Sequence, residues 1–131
     1  MYSVLLDLPR IARLLPGATG EADREPDRLR GGLAVRVGPL GIALDGDVRI
    51  VSRDDAKRTV ALRASGIDPR AGRLDAVITL RAQHSGTGTR LLLDSDVQVG
   101  GRMRLLPRVI MRRKADQLIA DFGRNLAREL A

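Results

Sequence analysis

The stretch that decides the fold is residues 105–130, LLPRVIMRRKADQLIADFGRNLAREL. Its apolar residues recur every three or four positions, which places them on one helical face: Met111, Ala115, Leu118, Phe122, Leu126 and Leu130. The basic residues fall on other faces: Arg112, Arg113, Arg124 and Arg128. A helix over this stretch would be roughly 39 Å long at 1.5 Å per residue. Its apolar stripe therefore needs a large apolar surface to cover it.

Between about Leu29 and Gly100 the hydrophobic period changes to two. Five runs carry apolar residues at alternate positions: Leu33, Val35, Val37; Ile42, Leu44, Val48, Ile50; Val60, Leu62, Ala64; Leu74, Ala76, Ile78, Leu80; and Leu91, Leu93, Val97, Val99. The positions between them are mostly polar or charged. This alternation predicts five consecutive strands of an antiparallel sheet that is covered on one face only. Turn residues separate the runs and favour a meander.

Before the strands, residues 4–15 show the spacing of a helix again. Pro9 divides this stretch, because proline is tolerated only in a first helical turn, so two short helices are predicted. Residues 18–27 are predicted to form a polar loop or a weak edge strand. The long helix then covers the apolar face of the sheet as a second layer, which gives one α+β domain over residues 1–131.

The composition excludes several classes of protein. The 131 residues include no cysteine, so neither a disulfide framework nor a thiolate metal site can form. The net charge of +7 invites a nucleic-acid interface, but the arginines alternate with apolar residues or stand beside acids, and only Tyr2 and Phe122 could stack on a base. We therefore expect no nucleic-acid partner. The sequence shows no signal peptide or membrane-spanning run, which indicates a cytoplasmic protein.

Three motifs carry a resemblance to a known family. They are LLPG at residues 14–17, VRVGPLGIALDGDV at residues 35–48, and GTRLLLDSDVQVGG at residues 88–101. In this order and spacing they resemble the CoxG family of carbon monoxide dehydrogenase subunits, which belongs to the START-like (SRPBCC) helix-grip superfamily. The resemblance covers nearly the whole chain. It implies a curved antiparallel sheet wrapped around a long C-terminal helix, with two short N-terminal helices.

One feature departs from the family pattern at the N-terminus. Members normally begin with a strand before the helices, whereas Met1 stands almost at the start of the first predicted helix. The first strand is therefore missing from the predicted sheet, which leaves an open edge. We expect the native reading frame to start upstream, and the intact mass of the protein purified from its own host tests this expectation.

The resemblance implies a non-enzymatic accessory protein that supports a molybdenum hydroxylase of the carbon monoxide dehydrogenase type. Such a protein brings the enzyme to the membrane or hands electrons to a quinone-like lipid held in a hydrophobic pocket. The resemblance implies no required cofactor, with a quinone or lipid as the molecule that can be bound. Two alternatives stay open: a START-like polyketide cyclase or lyase-type enzyme with polar groups converging in its cavity, and a general carrier of hydrophobic ligands.

The predicted pocket lies between the long helix and the apolar face of the sheet. Its candidate ligand-binding residues are Leu44, Leu62, Ile78, Leu93, Met111, Ala115, Leu118 and Phe122. The same set also fits an ordinary packed core. Small inward residues such as Ala64 and Ala76, together with the shortage of aromatic side chains that could fill the space, favour a cavity.

A basic cluster opens the long helix and forms the candidate membrane or partner surface: Arg108, Arg112, Arg113 and Lys114. It predicts either peripheral contact with anionic lipid on the inner face of the cell membrane or a solvated surface.

No residue is predicted to be catalytic or to bind a metal. His84, the single histidine, stands in a glycine-rich turn, where it lacks the positioned partner that a general base needs. Asp94 and Asp96 lie on the polar face of one strand, and Asp45 and Asp47 lie on the polar face of another. They are expected to face cross-strand arginines such as Arg49, Arg63 and Arg81.

Overall fold

A computed structural model describes residues 2–22 and 24–130. Helices and strands follow in this order: α1 (Tyr2–Leu5), α2 (Leu8–Leu14), β1 (Ala18–Ala22), β2 (Arg28–Val37), β3 (Leu40–Asp54), β4 (Thr59–Asp68), β5 (Gly72–Ser85), β6 (Gly88–Gly100), a 3₁₀ helix (Gly101–Leu105) and α3 (Arg108–Leu130). This order confirms the predicted α+β architecture with two short N-terminal helices and one long C-terminal helix.

The six strands form one curved antiparallel sheet in the order β1-β2-β3-β4-β5-β6. Each strand pairs with its neighbour in sequence, so the predicted meander is confirmed. A two-residue turn joins β5 and β6, and Gly86 supplies the positive φ of 59° that such a turn needs. Within the stretch predicted as a loop or a weak edge strand, Ala18–Ala22 is the edge strand β1.

The long helix begins three residues later than the sequence analysis predicts. Leu105 ends the 3₁₀ helix, and α3 starts at Arg108, directly after Pro107. The residue before a proline is disfavoured in the helical conformation, and Leu106 is accordingly extended, with φ −74° and ψ 135°. A sharp corner therefore separates the sheet from α3.

A row of glycines crosses the first four strands of the sheet. The strand register aligns Gly20, Gly31, Gly46 and Gly66. A Cβ atom on Gly46 would lie 1.8 Å from the carbonyl oxygen of Ser65, so no side chain fits there. The row removes side chains from one line across the sheet and lets neighbouring strands approach closely where the sheet curves.

The buried apolar residues form clusters at separate places along the sheet. One cluster joins α1 and α2 to the strands, with Leu5 and Val60 both fully buried. A second lies at the other end of the sheet, around Met103 and Ala71. A third joins the C-terminal half of α3 to the N-terminal helices. The core thus holds α3 at its two ends.

Candidate functional site

The C-terminal half of α3 is fixed to the N-terminal helices. Phe122 and Leu126 are 6% and 2% exposed and pack in one cluster with Val4 and Leu14. The Asn125 side-chain amide donates a hydrogen bond of 2.8 Å to the Leu14 carbonyl oxygen. Polar and apolar contacts therefore together attach this half of the helix to α1 and α2.

The start of α3 is fixed by the 3₁₀ helix that precedes it. Met103 is 1% exposed, and its backbone N–H donates to the Ala71 carbonyl oxygen at 2.9 Å. Ile110 and Met111, in the first turn of α3, pack against the same cluster. The helix is thereby held at its N-terminal end as well, near the other end of the sheet.

The middle of α3 stands away from the sheet and leaves a cavity of about 360 Å³. Leu118 is only half-buried and Ile119 is 40% exposed, although both face this space. The floor comes from the apolar face of the sheet and includes three members of the glycine row, Gly31, Gly46 and Gly66. Helix α2 supplies one wall through Leu8 and Ile11. A volume of this size falls in the roughly 300–1,000 Å³ range of small-molecule sites.

Seven of the eight predicted ligand-binding residues line this cavity: Leu44, Leu62, Ile78, Leu93, Ala115, Leu118 and Phe122. The small residues Ala64 and Ala76 also lie in its lining. The eighth residue, Met111, lies elsewhere, in a solvent-exposed groove at the start of α3. The α2 wall was not predicted as part of the site, although its apolar spacing in the sequence was the signal for it.

The cavity offers almost no ionisable chemistry. Among residues 2–22 and 24–130, Asp47 is the one ionisable residue in the cavity lining, and its Oδ2 lies 2.8 Å from Arg28 Nε in an ion pair. The other polar residues of this lining are Thr19, Ser65 and Ser95, and the Ser65 hydroxyl donates a hydrogen bond of 2.8 Å to Asp75 Oδ1. Within residues 2–22 and 24–130, no group of three or more His, Asp or Glu side chains could hold a metal ion.

The groove at the start of α3 has a volume of about 790 Å³ and a different character. It combines apolar residues with three arginines, Arg104, Arg108 and Arg112. Val97 of β6 lines both the groove and the cavity, so the two spaces adjoin. The groove is therefore a basic surface that adjoins the apolar cavity.

The four residues of the predicted basic cluster do not all face the groove, because the helix places them on different sides. Arg108 and Arg112 line the groove, Arg113 is exposed, and Lys114 is half-buried. Neither Arg108 nor Arg112 forms an ion pair with any residue in the described part of the chain. Their charges are thus available to a partner outside the chain.

The remaining sequence candidates lie away from the cavity. His84 is exposed at the β5–β6 hairpin, where its Nε2 lies 2.6 Å from Arg58 Nη1.

The expected pairing with cross-strand arginines is confirmed for Asp47, which pairs with Arg28 of the neighbouring strand β2, but it is wrong for Asp94 and Asp96. The register places Thr79 and Val77 opposite them, and both carboxylates are exposed without an ion pair in the described ranges.

Asp68 is a buried carboxylate that the sequence analysis missed. It is 3% exposed, and its oxygens accept backbone N–H bonds from Ala43 and Arg70 at 2.8 Å and from Ala71 at 3.2 Å. These N–H donors, led by Ala43, hold the pKa of the Asp68 carboxyl below its ordinary value. The residue fastens the β4–β5 turn to β3, which is a structural role. The Asp-Pro sequence that opens this turn was the available signal.

A curved antiparallel sheet, crossed by one long helix over an apolar cavity, defines the helix-grip class of proteins. The sequence matches the family model for CoxG, a carbon monoxide dehydrogenase subunit, over residues 1–131, and the chain belongs to that family. The resemblance carried by the three motifs is thereby confirmed. This membership supports an accessory role beside carbon monoxide dehydrogenase.

A solved structure supports the same fold. It is described as the crystal structure of a conserved protein from Geobacillus kaustophilus, with a TM-score of 0.84 and 18% sequence identity. The match covers 98% of this chain and 84% of that one. No curated protein matches the chain by sequence. In the described part of the chain, none of the helices has the length and apolar character needed to cross a bilayer.

Proposed function

We propose that the protein is a non-enzymatic accessory protein that holds a lipophilic ligand, quinone-like or lipid, beneath α3. In this role it supports a molybdenum hydroxylase of the carbon monoxide dehydrogenase type at the membrane. The observation that carries the proposal is the cavity itself. Helix α3 is fixed by the buried Phe122 and Leu126 in its C-terminal half and by the buried Met103 just before its start, whereas its middle leaves about 360 Å³ lined by apolar side chains.

The chemistry of the cavity favours binding over catalysis. General acid–base catalysis needs a titratable group within hydrogen-bond reach of the reacting atoms. Asp47, the one ionisable lining residue in the described part of the chain, is already paired with Arg28, and its Oδ2 lies 3.5 Å from Arg49 Nη2. This lining supports a carrier of an apolar molecule more strongly than the cyclase or lyase alternative.

The basic groove at the start of α3 supports the membrane part of the proposal. Arg104, Arg108 and Arg112 line the groove that adjoins the cavity, and Arg113 and Lys114 follow them in α3. Anionic lipid attracts such charges, so a ligand that resides in a bilayer would meet the protein at this end. The hydroxylase partner is inferred from the family name.

Extraction of the purified full chain tests the cavity. Organic extraction followed by mass spectrometry is expected to recover a lipid or quinone from the wild-type protein. Ala115→Trp places a large ring in the cavity lining, and it should lower the recovered ligand at least tenfold. Ala127→Trp is the matched control, because Ala127 is exposed on the same helix and does not line the cavity.

Two outcomes would contradict the proposal. One is wild-type protein that carries no ligand and gains no thermal stability from added decylubiquinone or oleate. The other is equal ligand content in the Ala115→Trp and Ala127→Trp proteins. Co-purification of a molybdenum hydroxylase from the native host separates the accessory role from that of a general carrier.

A further inference from the structure

We infer that the corner between the 3₁₀ helix and α3 is a membrane-docking surface that inserts Leu105 and Val109 into an anionic bilayer. The inference rests on the proposed function, because it names the element that makes the membrane contact. We call this surface the docking corner; it consists of Arg102, Arg104, Leu105, Arg108, Val109 and Arg112.

The docking corner exposes the two most solvent-accessible large apolar side chains described. Leu105 is 82% exposed and Val109 is 68% exposed, against 56% for Ile67, the next in order. The two residues stand four positions apart on either side of the bend at Pro107. Paired apolar side chains that project from a surface mark an interaction site more strongly than scattered ones.

Basic residues flank these two apolar side chains along the chain. Residues 97–115 include five arginines and one lysine but no acidic residue. Arg104, Arg108 and Arg112 line the same groove as Val109, and Arg102 is exposed in the preceding 3₁₀ helix. Exposed apolar side chains flanked by arginines, in a segment without acidic residues, match a surface that is apolar inside and negative outside.

An anionic bilayer is the partner that supplies both features. Its phosphate groups pair with arginines, while its acyl region accepts leucine and valine side chains that no protein contact covers. An acidic protein patch would satisfy the arginines but would leave the apolar tips facing charge. When the docking corner lies on the bilayer, the groove faces the membrane. The adjoining cavity then lies close to the lipophilic molecules that the membrane contains.

The docking corner is rigidly supported from behind. Met103 is buried between the two exposed arginines of the 3₁₀ helix, and its N–H bond to Ala71 ties the corner to the β4–β5 turn. A surface that is already ordered loses little conformational entropy on binding. Because Leu105 and Val109 are exposed and Met103 fills the core, the two residues can be replaced without disturbing that core.

A single-tryptophan variant tests insertion directly, because the chain contains no tryptophan. In Leu105→Trp, the emission should shift to the blue on addition of vesicles of phosphatidylcholine and phosphatidylglycerol, and brominated lipid should quench it. Val51→Trp is the control at a residue that is 50% exposed elsewhere on the sheet, and its emission should not change.

Partitioning of the wild-type chain onto the same vesicles measures the contribution of charge. Each basic residue at the surface is expected to contribute about fivefold in affinity at low salt, so Arg108→Gln with Arg112→Gln should weaken binding about 25-fold. Arg36→Gln with Arg128→Gln removes two exposed arginines elsewhere and should change it less than about threefold. Leu105→Ser with Val109→Ser should weaken binding at least tenfold at any salt concentration.

The outcomes separate this inference from the proposed function. If wild-type protein carries a lipid but the emission of the Leu105→Trp variant stays unchanged on anionic vesicles, docking is wrong and the cavity function stands. If the tryptophan of that variant inserts although the cavity is empty of ligand, docking stands and the cavity function is wrong. If Leu105→Ser with Val109→Ser abolishes hydroxylase binding and leaves vesicle binding intact, the corner belongs to a protein partner and the inference is overturned.

Discussion

Two leucines on one face of α3 test whether the middle of the helix really stands away from the sheet. Leu126 is 2% exposed and packs with Val4 and Leu14, whereas Leu118 is half-buried and faces the cavity. Leucine and alanine have similar helix propensities, so replacing either residue changes mainly its packing. A difference in stability between the two variants therefore reports how tightly each part of α3 contacts the rest of the protein.

The expected difference follows from the burial of the two side chains. Leu126→Ala removes a fully packed side chain and should lower the free energy of unfolding by about 3 kcal/mol, within the range measured for buried leucines. At about 2.1 cal/mol/K per residue, the unfolding entropy of 131 residues is about 0.28 kcal/mol/K, which converts this loss to about 11 °C in Tm. Leu118→Ala borders an existing void and should cost only about 1 kcal/mol, or about 4 °C.

Thermal and urea unfolding of protein stripped of lipid, followed by circular dichroism, provides the measurement. Added decylubiquinone should then raise the Tm of the wild-type and Leu126→Ala proteins, because a ligand that binds only the folded state stabilises it. The same addition should raise the Tm of Leu118→Ala much less. Equal losses of stability in the two variants without ligand would refute the reasoning, since they would mean that Leu118 is packed as tightly as Leu126.

Two further predictions concern the frame that surrounds the cavity. Backbone donors lower the pKa of Asp68, so this carboxylate stabilises the fold above its ordinary pKa of 3.8 and the contribution is lost as pH falls through and below that value. The Asp68→Asn protein should be less stable than wild type at neutral pH, and its urea midpoint should fall less steeply than that of wild type as the pH is lowered below 3.8. The Asp94→Asn protein should unfold like wild type at neutral pH. Gly46→Ala should lose at least about 2 kcal/mol because its Cβ would collide with the Ser65 carbonyl, while Gly41→Ala, with open space around it, should stay within about 0.5 kcal/mol in the same urea titration.

Most of the architecture could be predicted because it depends on local periodicity. A period of two over the strands and a period near 3.6 in the helices are each visible in neighbouring residues, so the elements and their apolar faces followed without coordinates. The boundary of α3 was harder to predict. Its start depends on Pro107, whose effect on Leu106 displaced the first turn to Arg108.

The candidate site was predicted in composition but not in extent. Seven of the eight residues expected at the pocket line one cavity, because they share the inward face of their strands or helix. Met111 fell outside it because the first turn of α3 packs beside Met103, the buried residue of the 3₁₀ helix, a contact between elements that periodicity does not reveal. The exposure of Leu105 and Val109 was equally hidden, since an apolar residue in sequence carries no sign of whether anything covers it.

The sequence by itself determined which residues are apolar, on which face of each element they lie, and where turns interrupt them. Only the tertiary structure decided that the glycines of four strands fall into one row and that α3 is held at its ends but not at its middle. The physical reason is that the register of the strands and the distance between α3 and the sheet result from many contacts between residues distant in the chain. A cavity is the space that those contacts leave, so it becomes visible only when all of them are in place.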